Sequence, residues 1–70
     1  MLRINKTKAM GLYNNGSSIF IVPCNINPNN VQGFGCTINK SCGKEFKTLV
    51  DEFEYYNCNS ETGTYCAYYV

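Results

Sequence analysis

Five cysteines, Cys24, Cys36, Cys42, Cys58 and Cys66, are the residues of this chain best suited to chemistry. Their spacing is C-x11-C-x5-C-x15-C-x7-C, without the C-x2-C knuckle of common zinc modules. Cys24, Cys36 and Cys42 nevertheless bracket one loop, and Cys58 follows the helix expected after Cys42. Four thiolates brought together there would hold one zinc ion and close the loop. The candidate ligands are therefore Cys24, Cys36, Cys42 and Cys58. Cys66 is the spare, because it lies between aromatic residues in a strand-like run and suits packing as a small apolar side chain. Structural zinc contributes roughly 10–16 kcal/mol of apparent binding energy to small peptides. A chain of 70 residues has a modest core and gains from such a staple. Two alternatives stay open, reduced buried thiols and disulfides. The odd cysteine count and the lack of a secretory leader argue against a full disulfide framework.

The chemistry of catalysis is poorly supplied. With no histidine, no imidazole base is at hand to activate a cysteine or serine. Gln32-Gly33-Phe34-Gly35 lacks the lysine and the following helix of a phosphate-binding loop. The carboxylates fall on one helix face and one turn, where solvation explains them. We expect a protein that binds rather than an enzyme.

Charge and aromatic content suggest what it would bind with. Net charge is +1, but Arg3, Lys6, Lys8, Lys40 and Lys44 occupy residues 1–44 without a single acid. Residues 45–70 hold Glu45, Asp51, Glu52, Glu54 and Glu61 against Lys47 alone, so the halves carry +5 and −4. Either the halves neutralise each other on folding, or an acidic face meets a basic partner. Tyr55, Tyr56, Tyr65, Tyr68 and Tyr69 cluster near the C-terminus, and tyrosines exposed beside acids make a recognition surface. The candidate partner-binding residues are Glu45, Asp51, Glu52, Glu54, Tyr55 and Glu61. Direct nucleic-acid binding is not expected, since these acids repel phosphate.

The elements that must position these residues can be read from the pattern. Thr7–Tyr13 reads as a short helix, capped by Asn5 or Thr7 and ended by Asn14-Asn15-Gly16. Ser18–Val22 is β-branched and aromatic, apolar on both faces, and stopped by Pro23, as a central strand would be. Residues 24–35 read as a long loop rich in asparagine and glycine. From Lys44 to Tyr55, Phe46, Leu49, Val50 and Phe53 recur at i, i+3, i+4 and i+7 on one helical face. Tyr55–Cys58 and Thr64–Val70 then read as the arms of a hairpin. The expected fold is α+β: one domain over residues 1–70, with two short helices packed on a small, mostly antiparallel sheet, a C-terminal hairpin and, with the cysteine set above, a zinc staple.

Ten aromatic residues and an apolar fraction of 44% argue against disorder. The longest apolar run, Ile19–Val22, is too short to span a bilayer, and the N-terminal residues lack a leader's apolar stretch. A cytoplasmic location and no membrane partner are therefore expected, with a monomer favoured.

Ile21-Val22-Pro23-Cys24 followed by Asn27-Pro28-Asn29-Asn30, and Phe53-Glu54-Tyr55-Tyr56-Asn57-Cys58-Asn59 with Gly63-Thr64-Tyr65, carry a resemblance over roughly residues 12–70. The chain resembles small proteins of phages and mobile elements in low-GC Gram-positive bacteria. Its ten asparagines, encoded by AT-rich codons, agree with such an origin. Acidic-faced phage proteins of this size, some containing metal, include anti-CRISPR inhibitors of the type II effector nuclease Cas9. The resemblance implies an inhibitor acting in the cytoplasm of the infected host, which occupies Cas9 and blocks loading of target DNA. Its rivals are a zinc-stapled phage regulator or adaptor that binds another host protein, and a small structural protein of the virion.

Overall fold

The computed structural model describes residues 2–23, 35–58 and 65–70. The chain runs β1 (Arg3–Ile4), α1 (Lys6–Asn14), β2 (Ile19–Pro23), β3 (Cys36–Ile38), a 3-10 turn (Lys40–Cys42), α2 (Phe46–Asn57) and β4 (Cys66–Tyr69). Both helices begin where local chemistry starts them or tertiary packing takes hold. Asn5 caps α1, its Oδ1 accepting the Lys8 N–H at 2.8 Å, and so satisfies a donor that the helix cannot. Gly16 lies just beyond α1 at φ 96°, a left-handed conformation that glycine adopts without strain, and its N–H donates to the Tyr13 carbonyl. Glu45 stands at the N-cap of α2 without a side-chain cap bond, so this helix relies on its apolar face.

Among the described residues four strands form one antiparallel sheet in the order β1-β4-β2-β3. As its two apolar faces require, β2 is central: Phe20–Pro23 pair with Cys66–Tyr69 and Ile19–Ile21 pair with Cys36–Ile38. The two ends of the chain meet, with Leu2 and Val70 exchanging backbone hydrogen bonds of 2.8 and 2.9 Å.

Strand alternation sends Ile19 and Ile21 to the helix side, where they join Ile4, Ala9, Tyr13, Phe46, Val50, Cys66 and Tyr68. Tyr13 and Tyr68 flank Phe46, with ring centroids 5.5 and 5.9 Å from it. The Tyr13 hydroxyl donates to the Lys44 carbonyl at 2.5 Å, which ties the entry of α2 to α1. On the opposite sheet face Val22, Ala67 and Tyr69 form a second buried group with Phe20 against it. Fully burying one such valine or isoleucine contributes about 1.5–3 kcal/mol. The backbone of Gly35 approaches β2 so closely that a Cβ would lie 2.4 Å from the Ile21 carbonyl oxygen and from Val22 Cγ1.

Two helices on a small antiparallel sheet agree with the fold class expected from sequence. The expected hairpin's first arm is corrected: among the described residues Tyr55–Asn57 are the last turn of α2, and Cys66–Tyr69 is a strand. Extending an existing helix adds one hydrogen bond for each residue fixed. The Asn57 side chain also donates to the Phe53 carbonyl at 3.1 Å, and together these outweigh the strand preference of tyrosine. The long loop expected at 24–35 lies, but for Gly35, outside the described residues.

Candidate functional site

The outer face of α2 is built by its own periodicity. With Phe46, Leu49, Val50 and Phe53 turned to the core, steps of about 100° per residue send Thr48, Asp51, Glu52 and Tyr55 to the opposite side. Tyr55 therefore follows Asp51 by one turn, and Tyr56 follows Glu52 by one turn. The two tyrosines are 80% and 79% exposed and meet edge to face, with ring centroids 5.0 Å apart. Edge-to-face contact satisfies the ring quadrupoles and makes the pair one amphipathic knob. Tyr65, also exposed, stands just before β4.

The acids of α2 are not equivalent. Asp51 Oδ2 accepts from Lys47 Nζ at 2.7 Å, one turn earlier on the same helix. Glu52 accepts from Lys44 Nζ at 3.0 Å through Oε1 and at 3.2 Å through Oε2. The bond to Asp51 raises the Lys47 pKa. Lys44 belongs to the basic half of the sequence and Glu52 to the acidic half, so the two halves do neutralise each other here. Both pairs are exposed, and such pairs contribute about 0–1 kcal/mol.

Glu54 has different work. It lies on the flank of α2 that meets the sheet, half-buried, and its Oε2 accepts the Cys66 N–H at 3.2 Å. Of the six residues expected to bind a partner, Asp51, Glu52 and Tyr55 share one face, exposed Glu45 precedes the helix, and Glu54 serves the fold. Glu61 lies outside the described residues. Tyr56, named in the tyrosine cluster but not among those six residues, belongs to the surface as well. Extending the helical period one residue past Tyr55 places it on this face, one turn beyond Glu52.

The cysteines divide by environment. Cys36 and Cys42 are exposed, Cys58 is half-buried against the main core, and Cys66 is buried within it. Burial pushes the Cys66 thiol far above the ordinary cysteine range, with Glu54, Cys58 and Cys36 adding to the shift. Burial raises Tyr68 in the same way, helped by Cys66 and Glu54. Cys36 is raised by burial and by Cys42, and Tyr13 by burial and by Cys42.

A tetrahedral zinc site needs its sulfurs gathered around one point. Among the described residues no three cysteine, histidine or carboxylate side chains are gathered to hold a metal, and this includes Cys36, Cys42 and Cys58. Cys24, the fourth expected ligand, lies outside the described residues. Cys66, set aside as the spare, is buried among the core residues. No described helix is long and apolar enough to cross a membrane.

Comparison with known proteins gives no family model, no curated protein and no solved structure that matches the chain. Function must be argued from the surface itself.

Proposed function

We propose that this chain is a stoichiometric binding protein that docks on a protein partner through the outer face and C-terminal end of α2. The observation that carries this reading is the Tyr55–Tyr56 pair, two large aromatic side chains held side by side in water. Tyrosine offers broad amphipathic area with few rotatable bonds, which is why it recurs among interface anchors. Asp51 and Glu52 flank the pair, and their exposed ion pairs with Lys47 and Lys44 break at a cost of about 0–1 kcal/mol. Either carboxylate can thus exchange its lysine for a basic group on the partner. The partner this face suits has an apolar recess for the tyrosines, rimmed by lysine or arginine.

The resemblance to phage proteins gives the specific form of the proposal: the partner is Cas9, and the protein is an inhibitor that works by occupancy. The nucleic-acid channel of such nucleases is strongly basic, which suits an acidic, tyrosine-tipped helix. An inserted plug blocks loading of target DNA without touching the catalytic groups. The rival partners are another host protein, bound by a regulator or adaptor, and further copies of this chain, as in a virion component.

The test is a DNA-cleavage assay with Cas9 orthologues from low-GC Gram-positive bacteria, in which the protein is added before or after target DNA. Inhibition only when the protein is added first supports the proposal. Undiminished cleavage by every orthologue at excess protein removes Cas9 as the partner. A pull-down from a low-GC host lysate then decides between the rivals.

A further inference from the structure

The sheet lacks a rung where β1 gives way to α1. Arg3 and Ile4 pair with Tyr69 and Tyr68, and the chain then turns out of the sheet at Asn5, whose side chain caps the helix. Strand β4 runs on past this point to Ala67 and Cys66, which pair with Val22 and Pro23 of β2. A cavity of about 430 Å³ opens at the step. Ile4, Ala67 and Tyr68, all buried, line it together with Cys66, and exposed Arg3 and Lys6 stand in its wall. Among the described residues neither cation makes an ion pair, and no carboxylate lines the cavity. Lys6 and Lys8 fall in the first turn of α1, against the positive end of its dipole, and no acid in that turn offsets them. The cavity at the entry of α2 has another character. Of its lysines, Lys44 and Lys47 are held by Glu52 and Asp51, and Glu45 is in its wall.

We propose that the Arg3–Lys6 cavity is a binding site for a small organic phosphate, with the phosphate gripped by these two side chains. The planar guanidinium fork matches two phosphate oxygens at once, and the ammonium adds a compact point charge beside it. Because neither cation has a carboxylate to give up, binding breaks no ion pair. Two cations suit the nearly double charge of a phosphomonoester at neutral pH better than the single charge of a carboxylate. The volume falls in the range of small-molecule sites, about 300–1,000 Å³, and is larger than a phosphate group alone needs. The remaining space borders Ile4, Ala67 and Tyr68, which suits an apolar body on the ligand. This site is separate from the Tyr55–Tyr56 face of α2 and does not rest on the reading of that face.

The test is an NMR titration of the full, isotope-labelled chain with inorganic phosphate and with phenyl phosphate, against sodium chloride at matched ionic strength. The expected result is saturable amide shifts at residues 3–6 and 66–68 with both phosphates. Phenyl phosphate should bind roughly three- to tenfold more tightly, because its ring removes apolar surface from water. An Arg3→Ala, Lys6→Ala double variant should lose about tenfold or more in affinity. It should keep the dispersed spectrum of the folded chain, since both side chains are exposed. Lys44→Ala, which alters the other cavity, should bind as the wild type does. Shifts that sodium chloride reproduces, saturable shifts centred on Lys40, Lys44 and Lys47, or equal affinity in the folded double variant would each overturn the proposal. Equal affinity for the two phosphates would overturn it as well, because the apolar lining would then hold nothing.

Discussion

The Glu54 carboxylate reaches from α2 to the first residue of β4 and accepts the Cys66 N–H at 3.2 Å. Cys66 is opposite Pro23 in the sheet, at the end of the β2–β4 ladder. The charged acceptor thus holds the strand at the point where sheet pairing ends. Hydrogen bonds to a charged group contribute about 1.5–3 kcal/mol when shielded, and this one is half-buried.

Glu54→Ala should therefore destabilise the protein by about 1–2 kcal/mol, with Glu54→Gln costing less because the amide oxygen still accepts. Glu52→Ala, which removes only an exposed ion pair, should stay within about 0.5 kcal/mol of the parent. Urea denaturation of the three variants checks the order. Equal losses for Glu54→Ala and Glu52→Ala would contradict the division of labour between these acids.

Two glycines should respond oppositely to the same substitution. A Cβ on Gly35 would lie 2.4 Å from the Ile21 carbonyl oxygen and from Val22 Cγ1, and 2.8 Å from Phe20 Cζ. Because one of these neighbours is backbone, Gly35→Ala should cost about 1–3 kcal/mol. Gly11 sits inside α1 with nothing within 4 Å of such a Cβ. Gly11→Ala should stabilise by about 0.5–1 kcal/mol by removing freedom from the unfolded chain. Thermal melts of the pair read the two signs.

Much of this architecture was legible in the sequence, and the misses have physical causes. The i, i+3, i+4, i+7 set Phe46, Leu49, Val50 and Phe53 fixed the buried face of α2, because one period serves no other structure. The doubly apolar run around Ile19–Val22 marked a strand covered on both faces. The end of α2 was not legible. Tyr55 and Tyr56 favour strands locally, and the helix wins through continued backbone bonding and the Asn57 contact to Phe53. Nor was β1, whose two residues become a strand only because Tyr68 and Tyr69 offer them an edge. The Glu54–Cys66 contact was hidden for a similar reason: it depends on how a helix flank docks on a strand that follows it.

Stability should fall on the alkaline side. Burial raises both the Cys66 thiol and the Tyr68 hydroxyl above their ordinary ranges. In the unfolded chain such groups lose their protons near pH 8.5 and pH 10, at about the ordinary values. Above those pH values the unfolded state binds fewer protons than the folded state, so unfolding is favoured as pH rises. The stabilisation is complete at neutral pH, declines from about pH 8.5 and steepens from about pH 10, at up to about 1.4 kcal/mol per pH unit for each group. Tyr68→Phe keeps the ring against Phe46 and should lessen the steeper part, with buried Tyr13 keeping its own share. Denaturant midpoints across this range are the measurement, and a profile identical to the parent's would count against the assignment.

Thiol reactivity separates the two readings of the cysteines. Native protein should lose the exposed Cys36 and Cys42 thiols first, Cys58 more slowly, and Cys66 only on unfolding. A zinc held by Cys24, Cys36, Cys42 and Cys58 would instead protect Cys36 and Cys42, with one ion per chain released on denaturation. Native mass spectrometry with site-resolved alkylation distinguishes these patterns.

The central claim is that the Tyr55–Tyr56 face of α2 binds a protein partner, and titration of Cas9 with wild-type protein and with a Tyr55→Ala, Tyr56→Ala double variant tests it most directly. Both side chains are exposed, so the double variant should melt within about 2 °C of the wild type. We predict a one-to-one complex for the wild type and at least a tenfold loss of affinity for the variant, about 1.4 kcal/mol or more. Equal affinity for the two proteins would contradict the account, because binding would then use another surface, and absence of binding by the wild type would remove Cas9 as its partner.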